Sequence, residues 1–139
     1  MKDYLCSRKV GLNMKKMLFL LGITCLSTSL LAKEWYEEKG TLHQATMKEW
    51  CKADEKNKLA TAGDFVSKGY VDKVFKPEII QAIQEHKMDG IKFMAGEVVA
   101  ALDTAACEGK KASKELATSE VSSLAATSMI LMGWIDKKE

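Results

Sequence analysis

The chain has 139 residues, of which 47% are hydrophobic and 29% are charged, with nine glycines, one proline and a formal net charge of +2. This composition is typical of a globular domain, and it excludes collagen-like, low-complexity and wholly disordered chains. Aromatic residues make up 7% of the chain, and there is no basic stripe of stacking residues, so a dedicated nucleic-acid-binding protein is not predicted.

The N-terminal segment has the three-part pattern of a secretory signal peptide. Two lysines after Met14 precede the apolar stretch 17–32, which ends in Ala32 and is followed by a polar pair. A membrane-spanning helix needs about 20 predominantly apolar residues, so cleavage after Ala32 is favoured over an uncleaved anchor. We therefore expect translation to begin at Met14, residues 1–32 to be removed, and residues 33–139 to form one helical domain.

Cleavage changes the charge of the protein. The predicted leader contains five basic residues and one acidic residue, so the remaining chain has 16 lysines, 18 acidic residues and a net charge of −2. Its one arginine leaves with the leader, and arginine is the residue that best suits bidentate phosphate contacts. A nucleic-acid partner and stable membrane insertion of the cleaved chain are therefore not expected.

Two of the four cysteines, Cys51 and Cys107, lie outside the predicted leader. In an oxidising compartment two remaining cysteines predict one disulfide. Free thiols or a metal site are the alternatives, but there is no C-x-x-C motif and only His43 and His86 could complete a zinc set. No metal or cofactor is predicted. Cys25 raises the alternative of a lipid-anchored protein, although the residue before it is larger than lipoproteins use there.

The first predicted helix begins at Thr41, which forms a capping-box pattern with Gln44. A charged interruption at 54–58 follows it. A second apolar stripe then runs from Leu59 to Val74 in steps of three and four residues, which predicts another helix, or one long helix with a bend near Asn57.

A third helix is predicted from Pro77, because proline is favoured at the first helical position. The pair Asp89-Gly90 predicts a break, after which an apolar stripe runs from Ile91 to Ala105. Gly109 is then predicted to end the helix.

The last helix is predicted to be capped by Thr118 or Ser119, and the apolar run 129–132 predicts a central position for it. Strand-like alternation never persists for more than a few residues, and we recognise no hairpin turn. The sequence therefore predicts an all-α fold, a single small bundle of four or five short helices with one disulfide.

Two motifs in the first half of the cleaved chain carry a resemblance to a known group of proteins. Leu42-His43, Thr46 and Trp50 fit the pattern L-H-x-x-T-x-x-x-W, and the stretch from Asn57 to Asp64 fits N-[KR]-L-A-T-A-x-D. With these motifs the chain resembles small exported bacterial all-helical proteins of unknown function that carry the same signature. The resemblance implies export and a helical fold, and it implies no activity.

A looser architectural similarity connects the chain with the HdeA-type acid-stress chaperones of the periplasm. Those proteins are small, exported and all-helical, and one disulfide spans a long helical stretch, as a bond between Cys51 and Cys107 would here. The similarity implies a chaperone role as an alternative function, although the local motifs differ.

The candidate functional residues form two groups: a polar cluster of His43, Thr61 and Asp64, and aromatic residues that could line a ligand groove, Trp35, Tyr36, Trp50 and Trp134. Asp64 is predicted to be partly buried with Thr61 or Lys68, in a pair that is structural or catalytic. There is no nucleophile elbow and no phosphate-binding glycine motif, so no catalytic residue is assigned. The aromatic residues also fit core packing. The charged stretches 52–58 and 110–115 are predicted to be exposed.

The sequence therefore favours a non-enzymatic exported protein of the bacterial periplasm or exterior that acts through contact with a protein in the cell envelope. An envelope-stress chaperone, an immunity-type inhibitor and a small-molecule carrier remain open as alternatives. An enzyme that uses Asp64 and His43 would require these two side chains to lie on the same side of the molecule.

Overall fold

The computed structural model describes residues 33–135 of the chain. The predicted signal peptide, the start at Met14 and the cleavage after Ala32 lie outside these residues. The described part is mostly helical. A short 3₁₀ helix, Trp35–Glu37, precedes four α-helices in this part: α1 (Met47–Trp50), α2 (Glu55–Val71), α3 (Pro77–Ala106) and α4 (Val121–Leu131).

A two-stranded antiparallel hairpin follows α3, so the all-α prediction is wrong at this point. Its strands are β1 (Cys107–Glu108) and β2 (Lys111–Ala112), and the register pairs Cys107 with Ala112 and Glu108 with Lys111. Gly109, predicted as the end of a helix, has a φ of +62° and lies in the two-residue loop between the strands. A glycine with positive φ suits such a tight loop, so the chain reverses there.

The first α-helix begins after Thr46 rather than after Thr41 as predicted. Thr46 and Glu49 form the capping box, in which the Thr46 amide donates to Glu49 Oε2 at 2.8 Å. The Met47 amide donates to the carbonyl oxygen of Ser119 at 2.9 Å. A distant segment thus satisfies a free amide of the first turn, in addition to the local capping box.

Helix α2 begins inside the charged stretch 54–58 rather than after it as predicted, and Asp54 is its N-cap, accepting from the Asn57 amide at 2.9 Å. Many of its buried residues are small: Ala60, Thr61, Ala62, Gly63 and Gly69. An ideal Cβ at Gly63 would lie 2.7 Å from the Trp35 ring, so the 3₁₀ segment packs closely on this helix. Val74, the last residue of the predicted stripe, is exposed and lies beyond the helix end.

Helix α3 begins at Pro77, as predicted, and is broken at Lys87, whose φ of 51° and ψ of −127° are not helical. The predicted boundary at Asp89-Gly90 lies slightly after this break. Beyond it the predicted stripe is buried: Ile91, Met94, Ala95, Val98 and Leu102. The stripe continues to Ala106, while Ala105 is exposed.

Helix α4 has Glu120 as its N-cap, so neither predicted capping residue starts it. The Val121 amide donates to the Ala45 carbonyl oxygen at 2.9 Å, which fixes the helix start against the segment before α1. The buried residues of α4 share one side of the helix: Val121, Ala125 and Met129. Leu131 is 78% exposed, so the prediction of a central helix is wrong.

The core lies where α2, α3 and α4 pack together, with Trp50 of α1 fully buried among them. Cys51 follows α1 and Cys107 follows α3. The two cysteines lie at disulfide-bonding distance, with Cα atoms 5.6 Å apart. The predicted pairing is confirmed, and it fastens the first helix to the end of the third.

Candidate functional site

His43 and Asp64, two of the predicted polar residues, meet at the surface. His43 Nε2 lies 2.9 Å from Asp64 Oδ2, and the side chains are 41% and 52% exposed. The His43 ring also packs edge-to-face on Phe65, with ring centroids 5.4 Å apart. The prediction that Asp64 is partly buried with Thr61 or Lys68 is therefore wrong, because position 64 lies on the solvent side of α2.

Thr61, the third predicted polar residue, belongs to a structural contact. It is fully buried, and its hydroxyl accepts from the Leu42 amide at 3.3 Å and donates to Asn57 Oδ1 at 3.4 Å. An ideal Cβ at Gly40 would lie 2.5 Å from Thr61 Cα. The Thr61 hydroxyl thus holds the segment 40–43 against α2.

The two motifs that carry the family resemblance lie against each other. The Thr41 amide donates to Asn57 Oδ1 at 2.9 Å, and Asn57 Nδ2 donates to Thr41 Oγ1 at 2.8 Å. With the contacts of the next two residues, three successive residues, 41–43, are bound to side chains of α2. This docking accounts for His43 of the first motif and for Asn57, Thr61 and Asp64 of the second, whereas Thr46 caps α1.

A hydrolytic site would need a nucleophile beside the histidine. Among residues 33–135, no hydroxyl or thiol group hydrogen-bonds to His43. In the same residues, no group of three or more His, Cys, Asp or Glu side chains is arranged to hold a metal ion. His43 and Asp64 do lie on the same side of the molecule, where they form an exposed hydrogen-bonded pair.

The four aromatic residues predicted to bind a ligand do not form one site. Trp50 is fully buried, and its Nε1 donates to Asp103 Oδ1 at 2.8 Å. Trp35 and Tyr36 pack edge-to-face on each other, with ring centroids 5.9 Å apart. Trp134 lines a different part of the surface, next to the first half of α3.

A charged cluster around Lys58 was not predicted. Lys58 is 4% exposed, and its Nζ lies 3.1 Å and 3.2 Å from the two carboxylate oxygens of Asp103 and 3.2 Å from Glu55 Oε1. The same ammonium lies 5.9 Å from the centre of the Trp50 ring. The prediction that the stretch 52–58 is exposed is therefore wrong for Lys58.

Lys58 stays charged inside the protein because of its partners. Burial by itself lowers the pKa of Lys58, since it disfavours the charged form. The hydrogen bonds and charges of Asp103 and Glu55 outweigh burial, and the pKa is raised above its ordinary value of 10.5. The sequence does contain a signal for this burial. Lys58 lies four and eight residues before Ala62 and Val66, about one and two helical turns, and so shares their side of α2.

An apolar groove lies between the two halves of α3 and the residues after α4. Its volume is about 440 Å³, and its apolar walls include Ile79, Ile83, Phe93, Met94 and Trp134. Two polar side chains, His86 and Asp89, also line it. Phe93 is 68% exposed at this groove, although phenylalanine is usually buried.

Trp134 and the helix α3 together shape this groove. Both halves of α3 line the groove, and they fold towards each other at the break at Lys87, because an ideal Cβ at Gly90 would lie 3.5 Å from Ile83 Cα. The Trp134 ring packs edge-to-face on Phe75 at 6.4 Å, and its carbonyl accepts from the Lys76 amide at 2.9 Å. Sequence reasoning identified Trp134 but not the groove, which depends on the C-terminal segment returning to the start of α3.

Comparison of the chain with models of protein families, with curated protein sequences and with solved structures finds no match. Within residues 33–135, no helix combines the length and the apolar character that crossing a membrane would require. We therefore infer a function from the geometry of the groove and of the polar contacts.

Proposed function

We propose that this chain is an exported, non-enzymatic helical protein that acts by contact with a protein partner in the cell envelope. The groove between α3 and Trp134 is its contact surface. The working domain is residues 33–139, in the periplasm or outside the cell, and it uses no cofactor. The signal-peptide pattern supports export, and the pairing of Cys51 with Cys107 fits an oxidising compartment.

The observation that carries this proposal is the exposure of Phe93. Its ring is 68% exposed beside a concave apolar surface. Aromatic residues supply much of the binding energy of protein interfaces, because burying a large ring removes a large apolar area from water. The exposed His43–Asp64 pair and the engaged Thr61 hydroxyl support a non-enzymatic role, since neither presents an activated nucleophile.

The docking of segment 41–43 on α2 supports a shared fold with the small exported bacterial proteins that carry the same two motifs. We include membership in that group in the proposal. The disulfide between Cys51 and Cys107 and the helical fold also support the looser likeness to HdeA-type chaperones, so an acid- or envelope-stress chaperone is the alternative role.

Site-specific photocrosslinking in the native host tests the contact surface. Benzoylphenylalanine at position 93 is expected to give an adduct with one defined protein. The same probe at Leu131, which is 78% exposed outside the groove, is the matched control. Ala82→Glu is expected to abolish the adduct at position 93, because a longer charged side chain would occupy the groove that Ala82 lines.

Three results would change the proposal. Equal adducts at positions 93 and 131, or none at 93, would contradict the groove as the contact surface. Adducts with many unrelated proteins that form only at low pH, and not at neutral pH, would favour the chaperone role. The intact mass of the protein checks export. We expect the mass of a chain that begins at Lys33, with its two cysteines alkylated only after reduction. The mass of the full-length chain with free thiols would contradict export.

A further inference from the structure

We propose that the groove selects a cationic amphipathic helix of the partner, and that the carboxylate of Asp89 makes this selection. This inference rests on the proposed function, and it names the chemistry of the partner segment: apolar side chains on one face, with lysine or arginine beside them.

The shape and lining of the groove are the reason for proposing an apolar face on the partner helix. Ile79, Ile83 and Met94 form walls that take apolar side chains, and the volume of about 440 Å³ accommodates more than one of them. The lining positions lie in both halves of α3, before and after its break at Lys87, and within each half they recur in steps of three and four residues. A partner helix laid along the groove presents its own side chains at the same spacing of three and four residues, which is how amphipathic helices dock in grooves.

The charge of the groove is the reason for proposing lysine or arginine on the partner helix. Asp89 is the acidic side chain among the described lining residues, and His86 is the other ionisable one. Within residues 33–135, Asp89 forms no ion pair and no side-chain hydrogen bond. The nearby Lys87 and Lys92 are exposed and are not among the lining residues. A cation at the groove therefore meets an unpaired carboxylate, whereas an anion meets repulsion.

Two helical peptides with the same apolar face test this selection, one with lysines and one with glutamates at the flanking positions. Their affinities are measured by calorimetry with the protein purified from its native host. Shifts of the Phe93 ring and the Trp134 indole resonances locate the binding. We expect the lysine peptide to bind about fivefold to tenfold more tightly, because attraction to Asp89 is replaced by repulsion in the glutamate peptide.

Variants assign the effect to Asp89. Asp89→Asn is expected to remove most of the difference between the peptides, and Asp89→Lys to reverse the preference. Glu97→Gln is the matched control, because Glu97 is an exposed carboxylate of the same helix that is not among the groove residues. It is expected to leave the preference unchanged.

The outcomes separate this inference from the proposed function. If both peptides bind the groove equally well, the charge selection is wrong while the contact surface stands. If neither peptide shifts Phe93 or Trp134, the contact surface is wrong as well. If decyltrimethylammonium binds there and neither peptide does, the groove is a small-molecule site and the helix partner is wrong.

Discussion

Gly40 lies directly against the backbone of α2. An ideal Cβ at this residue would lie 2.5 Å from Thr61 Cα and 2.6 Å from Thr61 N, which is closer than real Cβ atoms approach such neighbours. A helix backbone yields less easily than a side chain, so we expect Gly40→Ala to lower the free energy of unfolding by about 1–3 kcal/mol. Urea denaturation measures this change.

Gly96→Ala is the matched control for this substitution. Apart from the backbone of its own helix, no heavy atom lies within 4 Å of an ideal Cβ at position 96. In a helix interior alanine is favoured over glycine by about 0.5–1 kcal/mol, so this variant is expected to be at least as stable as the wild type. Equal effects of the two substitutions would contradict the close contact between segment 40–43 and α2.

At the scale of the elements, Lys58 connects α2 to Asp103 of α3. Because folding raises the pKa of Lys58 above 10.5, the folded state holds this proton more tightly than the unfolded state does. The resulting stabilisation is fully present below pH 10.5 and is lost as the pH rises through the higher pKa of the folded state. We therefore expect the free energy of unfolding to decrease at alkaline pH.

Urea denaturation of two variants at neutral and at alkaline pH assigns this decrease. Between neutral and alkaline pH, the free energy of unfolding is expected to decrease less in Lys58→Met than in the wild type. At neutral pH this variant should be less stable by about 1–3 kcal/mol, a modest loss because the Asp103 side chain is 32% exposed. Lys68→Met, at a lysine that is 75% exposed, should keep the wild-type alkaline decrease. The same decrease in Lys58→Met would contradict the assignment.

The starts of helices could be predicted where the signal is local and not where it is tertiary. Pro77 acts through its own ring, and α3 begins where this residue predicts. Asp54 caps α2 in the same local way, although the prediction had assigned it to the charged interruption. The start of α1 has both a local capping box, Thr46 with Glu49, and a tertiary acceptor from Ser119, and the sequence alone favoured the equally plausible Thr41. The hairpin escaped prediction because its strands contain two residues each, which is too short for a periodic pattern.

The candidate site was predictable to a smaller extent. His43 and Asp64 were grouped correctly, although they are 21 positions apart. Lys58 and Asp103 are 45 positions apart, and a lysine in a charged stretch is usually exposed, so their pairing could not be foreseen. The groove requires two halves of one helix and Trp134 to converge, and no spacing in the sequence encodes that convergence.

At the scale of the whole molecule, the bond between Cys51 and Cys107 closes a loop over a sequence separation of 56. In the chain-entropy account, constraining the unfolded chain over such a loop is worth about 4 kcal/mol. We expect the double variant Cys51→Ser/Cys107→Ser to lose about 2–4 kcal/mol of unfolding free energy, measured by urea denaturation, because some of the entropic gain is offset in practice.

Reduction of the wild type with dithiothreitol is the control, because it removes the same cross-link without changing the sequence. The two losses are expected to agree, and a double variant as stable as the oxidised wild type would contradict the entropic contribution. Small domains have a total stability of about 5–15 kcal/mol, so a loss of this size leaves the reduced chain close to unfolding. The fold therefore reaches its full stability only where disulfides form, which connects the architecture of the domain with the proposal that it is exported.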